Sequence, residues 1–474
     1  MDILIKNAFV VTVDPLLGDI PDADILIRDG RIIEVRPGIG EVVDTEVIDG
    51  KGYIVAPGFV DTHHHFWQGP MRGVTADWGL LGYLGGIRLH AASVYRPEDM
   101  YAAQFHGALE ALNAGVTTTA DYCHNLNSPD HAEESVRGLH DSGARVVWGY
   151  GFNRPPLEAP AFSSVDDRYI HLKRFAAEKF TAKNSLVTLG ICAEEPGWWP
   201  DDEYGIRQFM IARELDARVF QHCNSIRLES GVGPREAARL ARLNLLGPQV
   251  TLVHLGFSDQ DEWQQIADTG TTAAFTPETE TEMGMGWPSI AKVKALGIPF
   301  GLGIDIVSNN SADMFFPLRF ALNVERGFLN GKAAGVAILR APLECREALH
   351  WGTLGGARAL GLDHFIGSIT PGKAADLVFY RADRISMVGW DINNPAATII
   401  QQASVQDVDT VIVNGSIVKR HGRLTGDEAR ACRLMREASD YIYENTRHDG
   451  GFLPNQEKVF ERLNRMISGV RIPT

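Results

Sequence analysis

Cysteine is scarce and scattered. Cys123, Cys192, Cys223, Cys345 and Cys432 form an odd set with no Cys-x-x-Cys pair, which argues against a disulfide framework and a thiolate zinc site. The sequence also lacks any apolar run of the length a bilayer span requires. Its start, Met1-Asp2-Ile3-Leu4-Ile5-Lys6, has neither the basic opening nor the cleavage pattern of a secretory signal. The expected location is therefore the cytoplasm, with no membrane partner. Positive charge is in deficit: 45 Lys and Arg face 60 Asp and Glu, a formal net charge of −15. Such a surface repels phosphate backbones, so nucleic acid is not expected as a partner. There is no low-complexity tract, and the 45% apolar content is that of a chain that buries a core.

Three patterns follow one another along the 474 residues. Residues 1–56 read as short strands joined by turns, with a hairpin signal at Asp29-Gly30. From Gly58 to about 366, eight buried strands alternate with amphipathic helices: Phe59–His65, Val116–Tyr122, Arg145–Tyr150, Leu186–Cys192, Arg218–Cys223, Val250–Leu255, Thr272–Thr276 and Phe300–Asp305. Eight βα units in succession are the arithmetic of a closed barrel. Strand signals return at Ala375–Tyr380 and Val408–Val413. The expected fold class is α/β, a (β/α)8 TIM barrel with a composite β-sandwich domain built from both ends of the chain. The expected division is 1–56 with 367–425 for the sandwich, 57–366 for the barrel and 426–474 for a C-terminal helical extension, because neither β segment alone has enough strands for a stable core.

The chemistry begins at Asp61-Thr62-His63-His64-His65. Side chains alternate along a strand, so His63 and His65 share one face and His64 takes the other. At the carboxyl end of a first barrel strand, two imidazoles on one face suit a metal. His222 closes the fifth strand and His254 the sixth. One such histidine alone is adequately explained as a hydrogen-bonded core residue; four converging on one rim are not. Asp305 ends the eighth strand in apolar surroundings, where an unpaired charge is costly and a cation would offset it. His124, beyond the second strand, competes for a ligand role.

Together with Pro57-Gly58-Phe59-Val60, Gly367-Ser368-Ile369 and Pro371-Gly372-Lys373-Ala374-Ala375-Asp376-Leu377-Val378, these residues resemble the amidohydrolase superfamily, and within it the cytosine-deaminase and triazine-hydrolase branch. The resemblance implies that His63, His65, His222 and Asp305 hold one divalent metal per chain, with Zn2+ the first choice and Fe2+ or Mn2+ alternatives. It implies a catalytic His254 that polarises substrate or steadies the attacking water. The fourth strand, Leu186–Ile191, has no lysine of the kind that bridges two metals in relatives, so a single metal is expected. A three-His, one-Asp site with an open position brings water toward ionisation near neutral pH, and Asp305 can carry its proton to the leaving group.

Two departures bear on the reaction. Ser225 stands where the branch has the Glu of its His-x-x-Glu motif, and Thr276-Pro277-Glu278-Thr279-Glu280-Thr281-Glu282 replaces an Asn-containing segment. On an extended stretch these acids alternate, so Glu280 or Glu278 is a candidate for the missing proton shuttle, against the plainer reading of a solvated acidic loop. The substrate-binding candidates are Trp67, Gln68, Glu278 and Trp198, on loops expected at the same rim. The expected function is hydrolysis of a C–N bond (amide, urea, carbamate or amino-heterocycle) in a small molecule by a homo-oligomer. Alternatives are a hydrolytic deaminase of an aromatic N-heterocycle, a metal-dependent decarboxylase, or a silent barrel scaffold.

Overall fold

Eight parallel strands rich in β-branched and apolar residues form the centre of the molecule, as expected for a sheet covered by helices. They are β6 (Phe59–His64), β7 (Val116–Cys123), β8 (Arg145–Gly151), β9 (Val187–Cys192), β10 (Arg218–Cys223), β11 (Val250–His254), β12 (Thr272–Phe275) and β13 (Phe300–Leu302), paired in sequence order. The structure is a computed structural model describing residues 2–153, 161–162, 164–182, 185–227, 234–332, 337–447 and 451–452. The barrel closes where His64 bridges Asp305: Asp305 N donates to His63 O at 2.9 Å and His65 N to Asp305 O at 2.8 Å. Val60, Ala120, Tyr122, Val147, Cys192 and Phe220, one or two from each of five strands, pack as one cluster with Ala357, Leu360 and Ile366.

The flanking β segments share one sheet. β1 (Asp2–Val11), β2 (Asp19–Arg28), β3 (Arg31–Arg36), β4 (Thr45–Asp49) and β5 (Tyr53–Pro57) come from the N-terminal part, and β14 (Leu377–Arg381), β15 (Val408–Val413), β16 (Ser416–Arg420) and β17 (Arg423–Leu424) from the C-terminal part. The joint is the antiparallel pair β5–β14. Alternate apolar residues of both parts, among them Ile3, Ile5, Ile25, Ile27, Leu377 and Phe379, form a common core. The Gly367–Val378 segment is stitched to the N-terminal strands by Ile369 N to Thr12 O and Ala375 N to Gly30 O, both at 2.8 Å. Its Asp376 also receives the Arg145 guanidinium of β8 through Nε at 2.9 Å and Nη2 at 3.1 Å, tying sheet to barrel.

A helix over Glu428–Arg447 lies against the helix Pro97–Asn113 and the loop after β6, with Ser439 Oγ donating to Pro70 O at 2.8 Å. Most of the expected C-terminal extension beyond it lies outside the described residues. No helix among the described residues is long and apolar enough to cross a membrane. One local reading changes: Pro277–Glu282 is a short helix, not an extended stretch. Pro277 sits at its first turn with φ suited to a helix start, and the Glu280 side chain reaches back to accept Thr276 N at 2.8 Å. Glu278 and Glu282, four residues apart, therefore share one face of the helix and Glu280 takes the opposite one.

Candidate active site

Asp61 organises the seam at which the barrel closes. Fully buried, it accepts the backbone N–H of His63 at 3.2 Å and of Ile304 at 3.1 Å through Oδ1, while Oδ2 meets His64 Nδ1 at 2.8 Å. It thus pins the ends of the first and last barrel strands together and turns His64 away from its neighbours. Gly303 permits the close approach: a Cβ there would meet His63 O at 2.6 Å and His63 N at 2.7 Å. The consequence is that His63 and Asp305, far apart in sequence, lie side by side.

Four groups then converge. His63 Nε2 is 3.1 Å from His65 Nε2, 3.2 Å from His222 Nε2 and 3.4 Å from Asp305 Oδ1, and His65 Nε2 is also 3.4 Å from that oxygen. The outer nitrogens decide what points inward. His65 Nδ1 donates to Tyr122 O at 2.8 Å, and His222 Nδ1 to Glu195 Oε1 at 2.9 Å. Each therefore presents a bare Nε2 to the cluster when neutral. Burial lowers the His63 imidazole to about 3 and His65 well below its ordinary range, with His222 moved the same way. For Asp305 burial acts upward, but the imidazoles that face it, His63 first, outweigh it and hold the carboxyl well below the usual range. Neutral imidazoles around an ionised carboxylate are the donor set a divalent cation needs. Two overlapping groups could hold one, His63 with His65 and Asp305, and His63 with His222 and His254, the ligand atoms of each lying within 4.8 Å of one another.

His254 is held from behind. Thr276 Oγ1 donates to Asp305 Oδ2 at 3.1 Å and so must accept from His254 Nδ1, also at 3.1 Å; Glu280 Oε1 is the second acceptor at 3.3 Å. His254 and Asp305 sit in left-handed backbone, φ 78° and 70°, a strain of about 1–3 kcal/mol each that functional sites commonly carry. Glu280 is fully buried, and burial pushes its carboxyl up, partly countered by His254. Glu278 is buried too, with Oε1 lacking a hydrogen-bond partner and its value pushed up to about 8 by burial; Glu282 is exposed.

A cavity of ≈ 490 Å³ opens beside the cluster. His65, His222, His254 and Asp305 face it with Trp198, Tyr83, Leu80, Ile226 and Met285, a mostly apolar wall of the size that takes a small molecule. Trp67, Gln68, Glu278 and Glu280 do not line it. Trp67 is buried with Nε1 donating to His124 Nδ1 at 3.0 Å, and Gln68 Nε2 donates to Tyr83 OH at 2.6 Å. His124 belongs to neither metal-capable group. Four residues not singled out from sequence enter here. Tyr122 stacks on His222 at 4.1 Å between ring centroids, while Glu195, Arg88 and Glu236 line the cavity. Glu236 Oε2 accepts Asn224 N at 2.6 Å and Oε1 accepts Gly197 N at 3.1 Å, and burial raises its carboxyl to about 7. The Glu194-Glu195 pair next to the fourth strand was the one signal available for any of them.

Comparison with known proteins gives the fold and the family. A 5-methylthioadenosine/S-adenosylhomocysteine deaminase of Acetivibrio thermocellus is 27% identical over 405 residues, 83% of this chain and 88% of the relative. Two solved structures share the fold: a zinc-bound adenosine deaminase from Xanthomonas campestris (TM-score 0.80, 23% identity, covering 93% of this chain and 98% of that one) and the zinc complex of atrazine chlorohydrolase from Arthrobacter aurescens (TM-score 0.78, 23% identity, covering 93% and 100%). The profile of the Amidohydrolase family matches residues 54–418, and this chain belongs to that family.

Proposed function

We propose that this chain hydrolyses a C–N bond of a small molecule with water activated by one divalent metal, zinc in the first instance, held by His63, His65, His222 and Asp305. The observation that carries the reading is the gathering of His65 Nε2, His222 Nε2 and Asp305 Oδ1 within 3.1–3.4 Å of His63 Nε2, with the outer nitrogens of His65 and His222 tied to fixed acceptors. A cation bound there supplies Lewis acidity that makes water nucleophilic near neutral pH. Asp305 Oδ1, the carboxylate oxygen facing the histidines, takes the water's proton and passes it to the leaving nitrogen. His254 Nε2 faces the reacting centre, steadied through Nδ1 by Thr276 and Glu280. Glu280 thus acts through His254, as a positioning residue. Trp198 supplies an aromatic wall for a flat substrate. On this reading residues 57–366 are the catalytic barrel, and 1–56 with 367–425 the accompanying β domain.

One observation favours hydrolytic deamination of an aromatic N-heterocycle as a second reading: Glu236 is a cavity-lining carboxyl raised to about 7, near Ser225. It offers an acid where the His-x-x-Glu carboxyl is absent, and two of the similar proteins described above are named as deaminases.

The test is turnover of amides, ureas, carbamates and amino-heterocycles by zinc-loaded protein in ¹⁸O-labelled water. A product carrying the label together with a released amine supports C–N hydrolysis, and released ammonia supports deamination. Loss of carbon dioxide without label, or full activity after exhaustive chelation, overturns the proposal.

A further inference from the structure

Arg88 ends a single π-helical turn, Leu84–Arg88, in the long loop after β6, a backbone irregularity frequent at functional sites. It lines the same cavity as His222 and Asp305, and its side chain is only 7% exposed. Its guanidinium lies over the Trp198 indole, 5.5 Å from the ring centroid. Among the described residues its hydrogen-bond acceptor is Glu195 Oε1, reached by Nη1 in one contact at 3.3 Å.

That is meagre for a buried guanidinium, which presents five N–H donors in a planar fork. Other buried arginines of this chain are better satisfied. Arg145 grips Asp376 with two nitrogens at 2.9 and 3.1 Å, and Arg168 donates to Gly151 O at 2.6 Å and Leu126 O at 3.0 Å. Neither lines the cavity. Glu195 does not fully employ Arg88 either, because its Oε1 makes the shorter contact, 2.9 Å, with His222 Nδ1. A buried cation with spare donors at a cavity wall is a receptor for planar groups that accept hydrogen bonds.

We infer that Arg88 is a substrate-binding residue that receives a carboxylate or ring-carbonyl oxygen of the substrate. The substrate class is then an oxygen-bearing ring compound whose acceptor group sits away from the C–N bond to be cleaved, since Arg88 is separated from His222 by the Glu195 carboxylate. This deepens the proposed function and rests on the histidine cluster being the reaction centre, but it is tested by binding and needs no turnover.

The probes are pyridine, nicotinamide and nicotinate, one ring carrying no acceptor group, a carbonyl or a carboxylate, titrated calorimetrically into zinc-loaded protein. Wild type is expected to bind nicotinate about tenfold or more tighter than pyridine, with nicotinamide between. Arg88→Met should bring the three within about twofold, and Arg88→Lys should keep part of the charge preference without the fork. No preference in wild type, or the same ranking in Arg88→Met, overturns the inference; in the latter case the carboxylate is held elsewhere, for instance by the metal. If Arg88→Met fails to take up zinc, the double variant Arg88→Met/Glu195→Gln removes the unpaired carboxylate. Nicotinate preference restored in it would assign Arg88 to balancing Glu195 alone and overturn the inference; preference still absent supports it. Absence of C–N cleavage in wild type counts against the proposed function and leaves these affinities readable.

Discussion

Glu195 Oε1 accepts the Nδ1–H of His222 at 2.9 Å, fixing the tautomer that turns His222 Nε2 toward His63. Burial alone would raise the Glu195 carboxyl, but Arg88 and His222 outweigh it and keep it ionised at neutral pH. Outer partners of this kind typically contribute 10–100-fold to metal affinity. Glu195→Gln is therefore expected to weaken zinc binding by about that factor with the fold retained, as read by competition with a chelator. Unchanged zinc affinity would remove Glu195 from the positioning of His222.

Glu280 and Glu282 are two residues apart on one short helix yet have opposite environments: Glu280 is fully buried against His254, and Glu282 is exposed. Glu280→Gln should lower kcat by roughly 10²-fold with KM little changed, the upper end of the scale on which partners that orient an active-site histidine act. Glu282→Gln should leave both constants within about twofold of wild type. Equal effects from the two substitutions would contradict the environments seen here.

The buried histidines set the pH dependence of the metal-free protein. His63 falls from an ordinary 6.5 to about 3, and His65 moves in the same direction. Between those values the unfolded chain binds a proton that the folded chain refuses, so this contribution is fully present above pH 6.5 and is lost as pH falls. Urea unfolding of metal-free protein at pH 7, 6 and 5 should show stability dropping by up to about 1.4 kcal/mol per pH unit for each such histidine. A flat profile over this range would show that the imidazoles are not held neutral by burial.

Glu278 has the opposite sign. Burial raises its carboxyl from 4.5 to about 8, so its folded-state proton contributes stability that is present below pH 4.5 and lost as pH rises through about 8. Its Oε1 lacks a partner, and glutamine would remove the charge with little change of shape. Glu278→Gln should raise Tm at pH 9, by the equivalent of on the order of 1 kcal/mol or more, and leave it nearly unchanged at pH 5. A Tm that shifts equally at both pH values would tie the effect to packing instead of charge.

The sequence by itself determined the alternation of strand and helix, and with it the barrel. It also carried the period of two that puts His63 and His65 on one face, and the histidines ending β10 and β11, because these features depend only on the local repeat of the backbone. The joining of β5 to β14 follows a similar logic, since strands with one apolar face must find partners. What only the tertiary structure decided is which groups meet across long separations: Asp61 with Ile304, Glu195 with His222 and Arg88, and Tyr122 stacked on His222. None has a periodic signature, because each depends on which strand ends and loops the closed barrel brings together at its mouth. The Pro277–Glu282 segment shows the same limit. Its alternating acids look extended in sequence, yet Pro277 starts a helix and Glu280 reaches back to Thr276, so burial and contact with His254, not alternation, distinguish Glu280 from Glu282.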